Sequence, residues 1–140
     1  NPDLLGVGVS AISMMCDSYA QNFKVLKRWQ ESVTDEGIGL WRGVSLSQDD
    51  CLRRDVIKAL ICQFRLDFAS TEQLWGIVFE DYFAEDLRLL SPFIDDGLVT
   101  LEQRRLQVTA RGRLLIRNIC MCFDRYLRAA RRQQQFSRVI

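Results

Sequence analysis

Five cysteines, at positions 16, 51, 62, 120 and 122, are the side chains best equipped for chemistry in this 140-residue chain. None stands in a Cys-x-x-Cys pair, and the count is odd. Cys120-Met121-Cys122 lies in an apolar helical run, where a free thiol behaves as a small hydrophobe. All five read as reduced thiols in or near the core of a cytoplasmic protein. Histidine is absent. That removes the usual general base, the commonest zinc partner and the triad chemistries together. Asp49 and Asp50 are adjacent, and on a helix they point about 100° apart. They suit a helix start, against the positive end of the dipole, better than shared proton chemistry. Glu80, Asp81, Glu85 and Asp86 read as a solvated helix face.

Two further constellations have functional readings. Gly6-Val7-Gly8-Val9-Ser10 looks like a phosphate cradle, but the third glycine is missing and no helix follows. Glycines allowing close backbone approach at a strand end fit better. At the C-terminal end of a barrel strand, such residues line an active site. Arg104, Arg105, Arg111, Arg113 and Arg117 surround a hairpin and the helix after it. In a DNA-binding winged helix they would meet phosphates. The net charge of only +1 favours a solvated, helix-supporting face instead. Trp29, Trp41 and Trp75 read as core or domain-contact anchors.

The elements that must position these residues start with Leu4 to Ser13, an uncharged run suited to a strand buried on both faces. Nothing later supplies a matching parallel sheet, and no initiating Met is present. The expectation is therefore a C-terminal piece of a longer protein. At 140 residues the chain can bury about 70% of its unfolded surface. The opening run is too short to span a bilayer and lacks a basic leader. Met14 to Asn22 reads as a polar turn region. Phe23, Leu26, Gln30 and Val33, widened by Val25 and Trp29, predict a helix ended by Gly37 and Gly39. Leu40 to Leu46 reads as a short extended segment.

Ser47 caps a helix carrying Leu52, Val56, Ala59, Leu60 and Gln63, with Ile57, Ile61 and Phe64 beside them. Ser70 or Thr71 is expected to cap the next, carrying Leu74, Trp75, Val78 and Phe79. A third carries Phe83, Leu87, Leu90 and Ile94, with Pro92 as a local misfit and Gly97 as its C′ residue. Leu98 to Leu101 and Leu106 to Thr109 predict a hairpin. Thr109 then caps one long helix of Leu114, Leu115, Ile119, Cys122 and Tyr126, with Ile116, Phe123 and Leu127 on a second face. The tail from Arg128 to Ile140 is basic and Gln-rich. The expected fold is mainly α: a helical bundle with a small winged-helix-like β-hairpin, preceded by an orphan strand from a truncated barrel. Residues 1–22 are read as the last strand and exit loop of that barrel, and 23–140 as a helical C-terminal domain.

Longer stretches carry a family resemblance. Gly8-Val9-Ser10-Ala11-Ile12-Ser13, Tyr19-Ala20-Gln21-Asn22, Leu40-Trp41-Arg42-Gly43 and Arg53-Arg54-Asp55-Val56-Ile57-Lys58 resemble the C-terminal part of the oxygen-independent coproporphyrinogen III oxidases. So do Asp81 to Leu87, Gly112 to Asp124 and the closing Gln135 to Ile140. The resemblance implies a radical S-adenosylmethionine enzyme that decarboxylates two propionates of coproporphyrinogen III to vinyl groups, giving protoporphyrinogen IX. It implies a [4Fe-4S] cluster on a Cys-x3-Cys-x2-Cys motif, and a catalytic barrel followed by a mostly helical domain covering the site. It also implies that Ile12 contacts S-adenosylmethionine as a buried apolar side chain packed on the adenine, with Ser10, Ala11 and Ser13 as second choices. The implied partners are coproporphyrinogen III and a missing N-terminal barrel domain, with no nucleic acid and no membrane. A winged-helix nucleic-acid-binding module is the alternative reading.

The cysteine spacing here contains no Cys-x3-Cys-x2-Cys. The chain alone is therefore expected to bind no cluster and to be catalytically inert. Reconstitution with iron and sulfide should leave the visible charge-transfer region empty. A stoichiometric cluster on this chain would refute that expectation.

Overall fold

A computed structural model describes residues 3–136, with side chains as far as Ala130. The chain divides into two compact units, Asn1–Cys51 and Leu52–Ile140. About half of the residues are helical, and the strands form two small antiparallel sheets.

In the first unit the opening run is not one continuous strand. Gly8 (φ 93°) and Ser10 (φ 60°) take left-handed backbone, which breaks extension. Leu5 and Val7 are 75% and 87% exposed, not buried on two faces. Leu4 makes an isolated antiparallel bridge to Met14. The first strand proper, β1 (Ile12–Met15), turns through Cys16-Asp17 into β2 (Ser18–Asn22). The segment read as a polar turn is thus a hairpin, in which Met14 stands opposite Tyr19 and Ile12 opposite Gln21. Alternation from Ser18 to Asn22 suits a pleated strand, and cross-strand pairs of this kind stabilise it. Helix α1 (Leu26–Glu36) starts later than its apolar spacing predicted and ends at Gly37 in the αL conformation. Gly39 is buried directly against the Trp29 indole, where any Cβ would clash. The chain then enters β3 (Leu40–Ser45), which pairs with β2 and completes a sheet of order β1-β2-β3.

Helix α2 (Gln48–Gln63) starts as expected. The Ser47 hydroxyl accepts from the Asp50 amide (3.2 Å), while the Ser47 amide donates to the Asp50 carboxylate (2.9 Å). Reciprocal bonds of this type satisfy donors that a helix start leaves open. Leu52, Val56 and Leu60 form its buried stripe. Phe64 ends the helix at φ 57°, and a strand absent from the sequence reading follows, β4 (Arg65–Asp67). Asp67, rather than Ser70 or Thr71, caps α3 (Phe68–Trp75) by accepting from the Ser70 amide at 2.9 Å. That bond and the Ser70 hydroxyl hold the Asp67 carboxyl below its ordinary pKa.

Short α4 (Phe79–Tyr82) and then α5 (Ala84–Asp95) follow. Gly97 (φ 67°) stands at C′ as expected: its amide donates to Ile94, and the Leu98 amide reaches back to Phe93 (both 2.9 Å). The hairpin is β5 (Val99–Glu102) and β6 (Arg105–Val108), with Gln103 and Arg104 both at positive φ. β6 lies centrally, in the order β4-β6-β5. The long final helix is broken: a 3-10 turn (Gly112–Leu115) leads into α6 (Ile116–Met121), and α7 (Arg125–Phe136) starts afresh. The Asp124 carboxylate caps α7, accepting from the Tyr126 and Leu127 amides at 2.9 and 3.1 Å. Leu114, assigned to a core face, is 89% exposed because it sits on the 3-10 turn.

The core of this unit is aromatic. Phe68 stacks on Phe79 with centroids 4.0 Å apart, Phe79 meets Phe83 at 4.6 Å, and Phe83 meets Phe123 edge-on at 5.7 Å. Each such pair is worth about 0.5–1.5 kcal/mol beyond area burial. Asp86 is not on a solvated face: it is 1% exposed. Arg53 and Arg128 reach it at 2.8 and 3.0 Å, and Arg53 also donates to the Phe123 carbonyl at 2.9 Å. Burial raises the carboxyl's pKa, and the two guanidiniums oppose that shift. Asp86→Ala would remove the buried carboxylate that two largely buried guanidiniums share. It should cost about 3–5 kcal/mol in chemical denaturation, and a loss under 1 kcal/mol would contradict this role.

Candidate functional site

Antiparallel register places Ile12, Gln21 and Arg42 in one row across the first sheet, and Met14, Tyr19 and Val44 in the next. Residues directly opposite share a face, so these six side chains project to one side. A groove of about 540 Å³ is lined by Ile12, Tyr19, Ala20, Gln21, Arg42, Gly43 and Val44. At Gly43 a Cβ would press on the Tyr19 carbonyl at 3.2 Å, so glycine lets β3 lie close to β2 here. Ile12, the residue singled out from the sequence, begins β1 at this groove. It is 52% exposed, so within this chain it is an open apolar contact rather than a buried one. Of the second choices, Ser13 is occupied structurally: its hydroxyl accepts from the Gly6 amide at 3.0 Å. Ser10 supplies the positive φ that turns the chain into β1.

Tyr19, Gln21 and Val44 were missed as site residues. The available signal was the alternation of Tyr19 and Gln21, hidden because that stretch was read as a turn. The Arg42 Nε and Nη2 both donate to Gln21 Oε1, at 3.2 and 3.0 Å. Register slips at Asn22, which faces Leu40, so Trp41 has no opposite partner. A slip of this kind re-aims side chains, and the Arg42 guanidinium lies 4.4 Å from the Trp41 ring centroid.

Three of the five arginines weighed for phosphate contact have partners within the unit. Arg104 pairs with Glu72 at 2.7 Å and Glu80 at 3.6 Å, and Arg105 with Asp67 at 3.3 Å. Arg113 stacks on Phe64 at 4.4 Å. The hairpin's basic side chains therefore tie it to neighbouring elements. A second groove, about 470 Å³, runs past Asp55, Val56, Leu66, Ser70, Trp75 and Arg105 in the second unit. Of the charged residues along it, Asp67 and Arg105 pair with each other, and Asp55 lies 3.9 Å from Arg54.

The thiols are scattered. None forms a disulfide: Cys16 and Cys62 are exposed, Cys51 is intermediate, and Cys120 and Cys122 are buried. The exposure of Cys16 and Cys62 corrects the expectation of five core thiols: one sits on a hairpin turn, the other on the outer face of α2. Among the described residues no three metal-ligating side chains converge. Burial, then the neighbouring Cys122, pushes the Cys120 thiol up to about 11.

A helical domain with a small antiparallel sheet, arranged as above, is a defined class. Residues 46–115 match the HemN C-terminal domain, and the chain belongs to that family. It is 66% identical over 138 residues to the oxygen-independent coproporphyrinogen III oxidase of Salmonella typhimurium, covering 99% of this chain and 30% of the relative. The Pseudomonas aeruginosa enzyme of the same name is 46% identical over the same span. The solved structure of coproporphyrinogen III oxidase (HemN) from Escherichia coli, a radical SAM enzyme, superposes with a TM-score of 0.84 at 63% identity. That match covers 89% of this chain and 29% of the other. The chain thus spans about 30% of the length of the curated relatives it matches.

Thiol reactivity follows from these environments, because only the thiolate reacts. A disulfide reagent at pH 8 should modify Cys16 and Cys62 first. Cys120, with its pKa near 11, should react only after denaturation. Peptide mapping checks the order, and early labelling of Cys120 would contradict the buried placement.

Proposed function

We propose that this chain serves as the C-terminal part of an oxygen-independent coproporphyrinogen III oxidase, converting coproporphyrinogen III to protoporphyrinogen IX in haem biosynthesis. The observation that carries this reading is identity of 63–66% to enzymes of that name over nearly the whole chain, with a matching fold. We read residues 1–22 as the exit from the catalytic barrel and 23–140 as the C-terminal domain, with β3 of the latter completing the sheet that holds Ile12.

The exposure pattern supports a covered setting. Leu4, Leu5, Val7, Ile12, Met15 and Val44 are each more than half exposed in the first unit. Apolar surface on this scale marks a contact with another protein body or a ligand, and the relatives carry a further 70% of sequence to supply one. The second unit runs helix, strand, helices, hairpin, with sheet order β4-β6-β5. That order supports a winged-helix-like unit. Arg104 and Arg105 pair with carboxylates of the same unit and Arg113 stacks on Phe64, which favours a scaffold and lid over nucleic-acid binding. A lid matters here because excluding water protects a reactive carbon centre from the wrong hydrogen donor.

The groove fits S-adenosylmethionine in character: Ile12 and Val44 offer apolar contact, Tyr19 an aromatic ring, Gln21 and Arg42 polar heads. When bound beside a [4Fe-4S] cluster, that cofactor supplies the radical that abstracts hydrogen from substrate. The five thiols do not fit the cluster, so its ligands belong to the rest of the intact enzyme. Ile12 packs against the adenine and orients it. The free thiols suit the cytoplasm, and no helix among the described residues is long and apolar enough to cross a membrane.

Ile12→Glu in the intact enzyme should weaken S-adenosylmethionine binding about tenfold or more, through loss of an apolar contact worth roughly 1.5–3 kcal/mol. Anaerobic calorimetry measures it, and unchanged affinity would remove Ile12 from the site. Failure of the intact protein to form protoporphyrinogen IX anaerobically would overturn the functional reading itself.

A further inference from the structure

We propose that Arg42 is a carboxylate-binding residue, reading a carboxylate on the molecule that occupies the Ile12 groove. The inference rests on the functional reading above and adds a residue and a ligand group to it.

The guanidinium is held ready. Both hydrogen bonds to Gln21 use its Nε/Nη2 edge. The Nη1/Nη2 end, which can grip a carboxylate with two parallel bonds, has no partner among the described residues. One face of the group lies over the Trp41 ring at 4.4 Å, an arrangement available to arginine's planar cation. The register slip at Trp41 makes that stacking possible. Four rotatable bonds are thereby restrained before any ligand arrives, which lowers the cost of binding.

A second observation points to an anion. Lys24 Nζ lies 5.6 Å from the same indole centroid. Two cations gather round one ring, and neither pairs with a carboxylate among the described residues. Like charges collected without a counter-charge favour an anionic ligand. Position agrees as well. Ile12 and Arg42 flank Gln21 on adjacent strands, so they stand about 10 Å apart across the sheet. An apolar or planar body at Ile12 can therefore extend a carboxylate to Arg42. Two ligands of the proposed reaction have that form: S-adenosylmethionine through its amino-acid carboxylate, and the tetrapyrrole through a propionate.

The test uses the intact enzyme, with Arg42→Gln and Arg42→Lys. S-adenosylmethionine affinity is measured by anaerobic calorimetry. Tetrapyrrole affinity is measured by fluorescence titration with coproporphyrin III and its tetramethyl ester. Arg42→Gln should weaken one carboxylate ligand by about 10- to 100-fold, the range for a charge-assisted bidentate contact. Arg42→Lys should retain part of the affinity, and it carries the test if the Gln variant fails to fold. Loss for S-adenosylmethionine alone assigns its carboxylate. Loss for coproporphyrin III, with ester binding unchanged from wild type, assigns a propionate. Both ligands within twofold of wild type would overturn this inference and leave the functional reading standing. Wild-type enzyme that binds neither ligand would overturn both.

Discussion

The buried Asp86 carboxylate is the constraint around which the second unit is organised. One oxygen of α5 receives Arg53 from α2 and Arg128 from α7. The same Arg53 Nη1 donates to the Phe123 carbonyl, just past the end of α6. Buried charges must be paired and hydrogen-bonded. Satisfying this one therefore fixes where three helices and a helix break meet. The Arg53 guanidinium also lies 5.2 Å from the Phe83 ring, joining the ionic cluster to the aromatic stack. Replacing such a cluster with hydrophobes can be neutral in stability. Its role is better seen as fixing one arrangement of helices that apolar packing alone would specify less sharply.

The first unit works on the opposite principle. Gly39 is its only fully buried position among the described residues. Its sheet is held by ladder bonds and by the opening loop folding back, with Gly6 so close that a Cβ would meet the Ile12 carbonyl at 2.6 Å. A surface built this way leaves apolar and cationic groups facing outward together. One unit has a dense core, and the other leaves many of its large apolar side chains exposed.

Local rules were readable wherever a few neighbouring residues decided the outcome. Ser47 and Asp50, three apart, announced the start of α2, and Gly97 announced the end of α5. Leu52, Val56 and Leu60 announced the buried face between them. Reading failed where a remote partner decided. Glu85 and Asp86 look alike in sequence, yet Asp86 is buried because Arg53 and Arg128 converge on it from elsewhere. Arg65 to Asp67 is too short to show a strand period, and becomes β4 only because β6 offers a free edge. Asp124 reads as one polar residue in a long apolar helix until its carboxylate is seen capping α7.

From the residue order alone came α2 and α5 with their caps, the β5–β6 hairpin and the family resemblance. Those depend on composition and near-neighbour spacing, which the chain carries with it before folding. Tertiary structure alone decided that the first dozen residues break and pair antiparallel, that Asp86 is a hub, and that Trp41 slips out of register beneath Arg42. The last two outcomes require groups roughly 20 to 70 positions apart to satisfy one another's hydrogen bonds or charge, and even the first needs Leu4 to meet Met14 across a turn, conditions no local pattern encodes.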